Sequence, residues 1–262
     1  MSYIQIMNYR SKTLKRNVPF NIILPIDTEK GIENAPFKTL YLLHGLSDNN
    51  MSWLMNTRIY LWAMKHNMAV VMPSGENSFY INTPVPNSAY GDFGEYVGRE
   101  LVEITRAMFP LSHKREDTFI AGLSMGGYGA ARNGLKYNDT FGYVAILSGA
   151  LHFFEYDPEW KDGDTIGEKA CFGNLYDAIE TDKNPRVIAQ MLSERAKTDL
   201  DYTLPKVYVC CGTEDALLGA NRSFADYLKE KGFDVTYEDG PGIHDWAFWD
   251  TFIEKVIDWL PV

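Results

Sequence analysis

Six short runs recur along the chain, and most are apolar almost without interruption: Phe20–Pro25, Thr39–Leu43, Met68–Met72, Thr118–Gly122, Tyr143–Leu147 and Lys206–Cys211. A strand that shows one face to water alternates apolar with polar residues, whereas a strand covered on both faces has no reason to. Phe233–Glu238 alternates more and suits a sheet edge. Between the runs lie stretches of helical period. Tyr60–Lys65 is short. Tyr90–Phe109 spaces Tyr96, Val97, Leu101, Ile104 and Met108 along one face. Gly126–Leu135 is made of small residues, Ala220–Lys231 stops at Gly232, a capping type, and Trp246–Leu260 runs up to Pro261. This alternation predicts right-handed β-α-β units and an α/β fold, a mostly parallel central sheet with helices on both faces.

One stretch breaks the rhythm. Residues 152–204 hold no clear strand, and roughly 50 residues between core strands far exceeds the usual connection of about 2–6. A lid-like insertion ahead of Lys206–Cys211 is predicted. Its clearest helix is Asn184–Lys197, with Pro185 in the first turn. Its acidic residues Glu155, Asp157, Glu159, Asp162 and Asp164 read as a solvated face. No linker-like composition divides the chain, so residues 1–262 are read as one domain. The length supports that: a compact chain of 29.8 kDa exposes about 11,600 Å² of roughly 43,000 Å² and needs no staple.

The three cysteines, Cys171, Cys210 and Cys211, make no disulfide framework, and no zinc spacing exists. On a strand the adjacent pair faces opposite ways, as reduced core thiols do. A net charge of -10 argues against nucleic acid and anionic membrane surfaces as partners. The N-terminus MSYIQIMNYRSKTLKRNVPF lacks the apolar centre of a signal peptide, and no stretch approaches the roughly 18 apolar residues of a membrane span. A cytoplasmic setting is therefore expected.

The most specific local feature is Gly122-Leu123-Ser124-Met125-Gly126. It is G-x-S-x-G, it follows a strand and it opens a helix of small residues, which is the context of a nucleophile elbow. A serine at the apex of such a turn needs tiny neighbours, and the helix N-terminus aims N–H groups at an oxyanion forming beside it. A glycine-rich turn with a capping serine shares the letters but does not require the strand and the helix. The partners of such a serine follow in the order acid, then histidine. Of five histidines only His152 and His244 come after Ser124, and His244 sits in a Gly/Pro loop between the last strand and the last helix. His152 comes too early for an acid to intervene. His66 and His113 fall on polar segments and are expected to be exposed. The acid is read as Asp215, directly after Lys206–Cys211, with Glu214 as the competitor. Asp245 reads as the cap of the last helix. The oxyanion donors are then the N–H groups of Met125 and of Leu46, in the loop Leu43-His44-Gly45-Leu46-Ser47. His44 orders that loop or contacts substrate.

The set Leu42-Leu43-His44-Gly45-Leu46, Phe119–Gly129, Cys211-Gly212-Thr213-Glu214-Asp215 and His244-Asp245-Trp246-Ala247-Phe248-Trp249 resembles the esterase D-type α/β-hydrolases, and within them the tributyrin esterases of Gram-positive bacteria. The resemblance covers nearly the whole chain and includes Met72–Tyr80. It implies a serine carboxylesterase acting on short-chain acyl esters through an acyl-enzyme on Ser124, with the triad Ser124, Asp215 and His244 and with no metal or organic cofactor. The partner it implies is a small-molecule ester, and for assembly a homo-oligomer. Feruloyl or acetyl-carbohydrate esterases share the mechanism. S-formylglutathione hydrolases usually carry Ser-Gly-Leu-Thr-Cys where this chain has His44-Gly45-Leu46-Ser47-Asp48, and mycolyl transferases are exported. An acyltransferase needs a pocket that excludes water. A binding scaffold without catalysis would lack a triad member, and none is missing. Substrate choice is expected from Ser47–Trp53, from Ser74–Tyr90 with Phe79 and Tyr80, and from the insertion beginning at His152. Trp246 and Trp249 pack beside His244, and Trp246 is a further candidate substrate contact.

Overall fold

The computed structural model describes residues 2–27, 31–83, 91–154, 171–173 and 175–262. Each unbroken apolar run lies in a strand: β2 (Asn17–Leu24), β3 (Thr39–Leu43), β4 (Ala69–Pro73), β5 (Thr118–Leu123), β6 (Tyr143–Leu147) and β7 (Lys206–Gly212). Every residue of β3, β4 and β5 is buried. That is why these strands do not alternate. The more polar β8 (Val235–Gly240) forms one edge of the sheet, as its pattern predicts. The other edge is β1 (Ser2–Arg10), which the apolar runs did not announce. Its signal is weaker: half-buried Ile4 and Ile6 alternate with exposed Tyr3, Gln5 and Met7.

The eight strands form one sheet in the order β1-β2-β4-β3-β5-β6-β7-β8. The pairs β1–β2 and β2–β4 are antiparallel, and all others are parallel. From β3 the chain passes to β4 on one side and returns to β5 on the other. In an open α/β sheet such a reversal leaves a crevice at the carboxyl ends of the two strands, where ligands bind.

The register keeps the parallel strands level, with Tyr41, Ile120, Val144 and Val207 in one row and Leu42, Ala121, Ala145 and Tyr208 in the next. The first row packs into one apolar layer and the second into the other. Helices α1 (Ser52–Asn56), α2 (Ile59–Lys65) and α7 (Trp246–Trp259) cover the second layer. Helices α3 (Leu101–Met108), α4 (Met125–Lys136), α5 (Pro185–Thr198) and α6 (Leu218–Glu230) cover the first. The fold is an α/β-hydrolase sheet with helices on both faces. A π turn, Tyr96–Glu100, precedes α3. There Glu100 accepts hydrogen bonds from the Tyr9 and Ser11 hydroxyls and from the Lys12 and Thr13 N–H groups, tying the β1–β2 turn to the helix.

Of the predicted insertion, α5 forms as expected, with Pro185 in its first turn and the Asn184 side chain accepting the Arg186 N–H at 3.0 Å. Glu155, Asp157, Glu159, Asp162 and Asp164 lie outside the described residues, and so do residues 84–90 of the Ser74–Tyr90 loop. His113 is exposed, but His66 is half-buried, because its Nε2 meets Asp258 of α7 at 3.0 Å.

Candidate active site

The elbow is built from backbone sterics. Ser124 has φ 53° and ψ -119°, a left-handed conformation rare outside glycine. The chain holds it there because β5 and α4 approach too closely for side chains between them. A Cβ on Gly122 would stand 2.3 Å from the Gly126 carbonyl oxygen, and one on Gly126 would stand 2.5 Å from the carbonyl oxygens of both Leu43 and His44. The strained turn lifts the Ser124 hydroxyl to the carboxyl edge of the sheet, at the N-terminus of α4.

His244 comes from the loop between β8 and α7. Its Nε2 lies 2.9 Å from Ser124 Oγ, and its Nδ1 lies 2.8 Å from Asp215 Oδ2. Asp245 then caps α7, its carboxylate accepting the Phe248 N–H at 3.0 Å. The Asp215 side chain is fully buried, whereas that of His244 is 37% exposed. Burial alone would raise the Asp215 pKa. Hydrogen bonds from His244, from the Leu217 N–H (2.9 Å to Oδ1) and from Ser148 outweigh it and hold the carboxyl below its ordinary value. The competitor Glu214 is turned elsewhere, accepting the Gly242 N–H at 2.7 Å and so pinning the histidine's own loop.

The expected oxyanion donors follow β3 and β5. Among the described residues neither the Leu46 nor the Met125 N–H has an acceptor. The loop that carries Leu46 is clamped from below. His44 is buried, its Nδ1 lies 2.7 Å from the Gly45 carbonyl, and its Nε2 accepts the Gly75 N–H at 2.8 Å. Both ring nitrogens are thus committed to backbone, which is the loop-ordering role expected of His44. Tyr80, also expected at a substrate wall, is fully buried, and its hydroxyl donates to the His44 carbonyl at 3.1 Å. Phe79 is 3% exposed and packs edge-on against Tyr128, Phe153 and Phe172. Asn77 accepts the Ser47 N–H at 2.8 Å. Gly75, Asn77 and Tyr80, all after β4, therefore brace the loop that carries Leu46.

His152 is half-buried with its ring 4.1 Å from that of Phe153. Trp246 is half-buried between Trp53 and Trp249, at ring distances of 5.4 and 5.3 Å, and Trp249 stands 4.9 Å from the His244 ring. Trp53 donates its indole N–H to the Leu43 carbonyl at 3.0 Å, so this aromatic row runs from the end of β3 to the histidine. Among the described residues, the large apolar side chains left exposed beside this machinery are Leu46 and Ile243. All three cysteines are buried. Among the described residues no group of three or more His, Cys, Asp or Glu is gathered to hold a metal, and no helix is long and apolar enough to cross a membrane.

Sequence reasoning missed Asn221, which holds the turn after β6 by bonding both the N–H and the carbonyl of Gly149. The only local sign was a Ser-Gly pair at the end of β6.

The model of the Esterase family matches residues 11–259. An acetyl esterase of Caldicellulosiruptor saccharolyticus is 41% identical, across 99% of this chain and 98% of its own. Among solved structures, the substrate-bound fluorophosphonate-binding serine hydrolase F of Staphylococcus aureus superposes with a TM-score of 0.83 at 34% identity, covering 99% of this chain and 98% of that one. An S-formylglutathione hydrolase of the same organism superposes with a TM-score of 0.81 at 33% identity, with coverage of 99% and 98%.

Proposed function

The chain belongs to the Esterase family, and we propose that it hydrolyses short-chain acyl esters through an acyl-enzyme formed on Ser124. It is a serine carboxylic ester hydrolase. The observation that carries the assignment of residues is the continuous hydrogen-bond chain from Ser124 through His244 to Asp215, at 2.9 and 2.8 Å. In this reading the Ser124 Oγ attacks the ester carbonyl while His244 Nε2 takes its proton. Asp215 holds the Nδ1–H tautomer and stabilises the imidazolium. The Leu46 and Met125 N–H groups bind the tetrahedral oxyanion. His244 then protonates the leaving alcohol. A water molecule, deprotonated by His244, attacks the acyl-enzyme and frees the acid and Ser124. No metal or organic cofactor enters these steps. The buried thiols of Cys210 and Cys211 support the reading of a reducing, cytoplasmic setting.

The acetyl esterase relative supports a small acyl group. Exposed Leu46 and Ile243 beside the triad would give it an apolar rim. A second reading, hydrolysis of a glutathione thioester, is favoured by the S-formylglutathione hydrolase neighbour. The test is one panel: 4-nitrophenyl esters from acetate to palmitate, methyl ferulate and S-formylglutathione, each against wild type and Ser124→Ala. Turnover is expected to peak at the short alkyl esters. The variant should lose about 10⁴-fold or more in kcat with unchanged circular dichroism. Undiminished turnover in Ser124→Ala would overturn the assignment of the nucleophile. Turnover of the thioester alone would replace the first substrate reading by the second.

A further inference from the structure

Two adjacent carboxylates follow the end of β7, and both reach the loop of the histidine. Asp215 meets the His244 ring, and Glu214 meets the backbone two residues before it. The second meeting is a closed pair of bonds. The Gly242 N–H donates to Glu214 Oε2 at 2.7 Å, and the Glu214 N–H donates to the Gly242 carbonyl at 3.1 Å. The Thr213 hydroxyl donates to the same Oε2 at 2.8 Å and so steadies the carboxylate, while the Thr213 N–H donates to the Gly240 carbonyl at 2.8 Å. Gly212 lets the two loops come this close: a Cβ there would stand 2.2 Å from the Gly242 carbonyl oxygen. Gly242 itself has φ 146°, and a Cβ on it would stand 2.8 Å from the Phe248 ring of α7. Pro241 has no N–H to give. Among the described residues no side chain other than Glu214 bonds the backbone from Pro241 to His244.

We propose that Glu214 is a positioning residue for ester hydrolysis: through the Gly242 N–H it holds the loop that presents His244 to Ser124, while Asp215 holds the ring itself. This inference rests on the triad reading. The His244 side chain is 37% exposed, so burial alone does not fix where it stands. Without the Glu214 acceptor the loop keeps one backbone bond to Gly242, and a glycine next to a proline has other conformations open to it. The imidazole is then in line with Ser124 less often. His244 serves both acylation and deacylation, so kcat falls whichever step limits it. KM changes little, because Glu214 is occupied by backbone and Thr213 and not by substrate. What the site needs is an acceptor for one backbone donor, and an uncharged amide oxygen provides that too.

The test compares wild type, Glu214→Ala, Glu214→Met, Glu214→Gln, Asp215→Asn and Ser124→Ala on 4-nitrophenyl acetate. For the proteins that keep Ser124, rates are referred to active sites titrated with an organophosphorus ester. Glu214 is exposed, so its substitutions leave the core intact, and methionine gives a second variant without an acceptor at nearly the original length. Alanine and methionine are both expected to lose about 10-fold in kcat per titrated site and to keep KM within about twofold. Glutamine should stay within about threefold of the wild-type kcat. Wild-type kcat in the alanine or the methionine variant, a loss that appears in KM instead, or a glutamine variant as slow as alanine would overturn the role of Glu214, while an inactive Ser124→Ala leaves the triad standing. Asp215→Asn should lose about 10³-fold or more. An active Asp215→Asn beside a nearly inactive Glu214→Ala would make Glu214 the acid, and an active Ser124→Ala would remove the nucleophile; either would overturn the triad and this inference with it.

Discussion

His44 shows how burial chooses among the roles open to one side chain. Standing two residues before Leu46, it could have ordered the loop or met substrate. Its Nε2 accepts the Gly75 N–H, so the neutral tautomer is required, and burial pushes its pKa down to about 4, opposed only in part by the Gly45 carbonyl. The sign of the effect on stability follows. The unfolded chain takes up this proton near 6.5 and the folded chain only near 4. The contribution is therefore complete above 6.5 and fades as pH falls toward 4, by up to about 3 kcal/mol. His44→Phe should be less stable near neutrality by about 1–3 kcal/mol, because the Gly75 N–H is left without its acceptor. The variant should also lose that part of the pH slope. Denaturant melts at pH 7 and pH 4.5 measure both, and equal slopes for the two proteins would refute the account. The acid gives a second case at this scale. Asp215 and Glu214 are adjacent and chemically alike, but one ends inside the molecule against His244 and the other on the backbone of Gly242.

At the scale of elements, the elbow depends on how closely α4 seats against β3 and β5. The atoms a Gly126 Cβ would strike are backbone oxygens of Leu43 and His44, which cannot swing aside. Gly126→Ala should therefore push α4 away from the oxyanion loop, with a loss of more than about 3 kcal/mol and of nearly all activity. Gly219, in α6, has nothing within 4 Å of where its Cβ would be. Gly219→Ala should stabilise by roughly 0.5–1 kcal/mol with full activity, since alanine favours the helix and restricts the unfolded chain. Thermal melts and kcat on the same preparations test the pair, and equal behaviour of the two variants would sink the steric argument. The segment after β4 belongs to this scale as well. Its Tyr80, taken alone, reads as pocket wall, but in the assembled sheet its hydroxyl holds the His44 carbonyl of the loop above it.

For the whole molecule, each central strand contributes alternate residues to both apolar layers, so neither layer can separate from the sheet alone. We expect residues 1–262 to unfold as one unit. The described tryptophans, Trp53, Trp62, Trp246, Trp249 and Trp259, all pack on the layer of α1, α2 and α7. Helices α3 to α6 lie on the other. Tryptophan fluorescence and far-ultraviolet circular dichroism should therefore follow coincident thermal transitions. Two separated transitions would mean that the layers, or the insertion, form a second cooperative unit.

What the sequence by itself determined is local. The strands show their burial on both faces, the helices show their period and caps, and G-x-S-x-G marks a turn whose sterics involve a few neighbouring residues. Chain order added Asp215 and His244, which the structure brings together with Ser124. The strand β1 was harder to see, because an exposed edge leaves only a weak alternation. Only the tertiary structure decided what depends on register across the sheet. Asn221 brackets Gly149 from 72 residues away, Gly75 and Tyr80 hold His44, and the Ser148 N–H meets the Cys210 carbonyl because β6 and β7 end level with each other. A side chain's partner across a loop leaves no period in the sequence, so its role appears only when the strands are placed side by side.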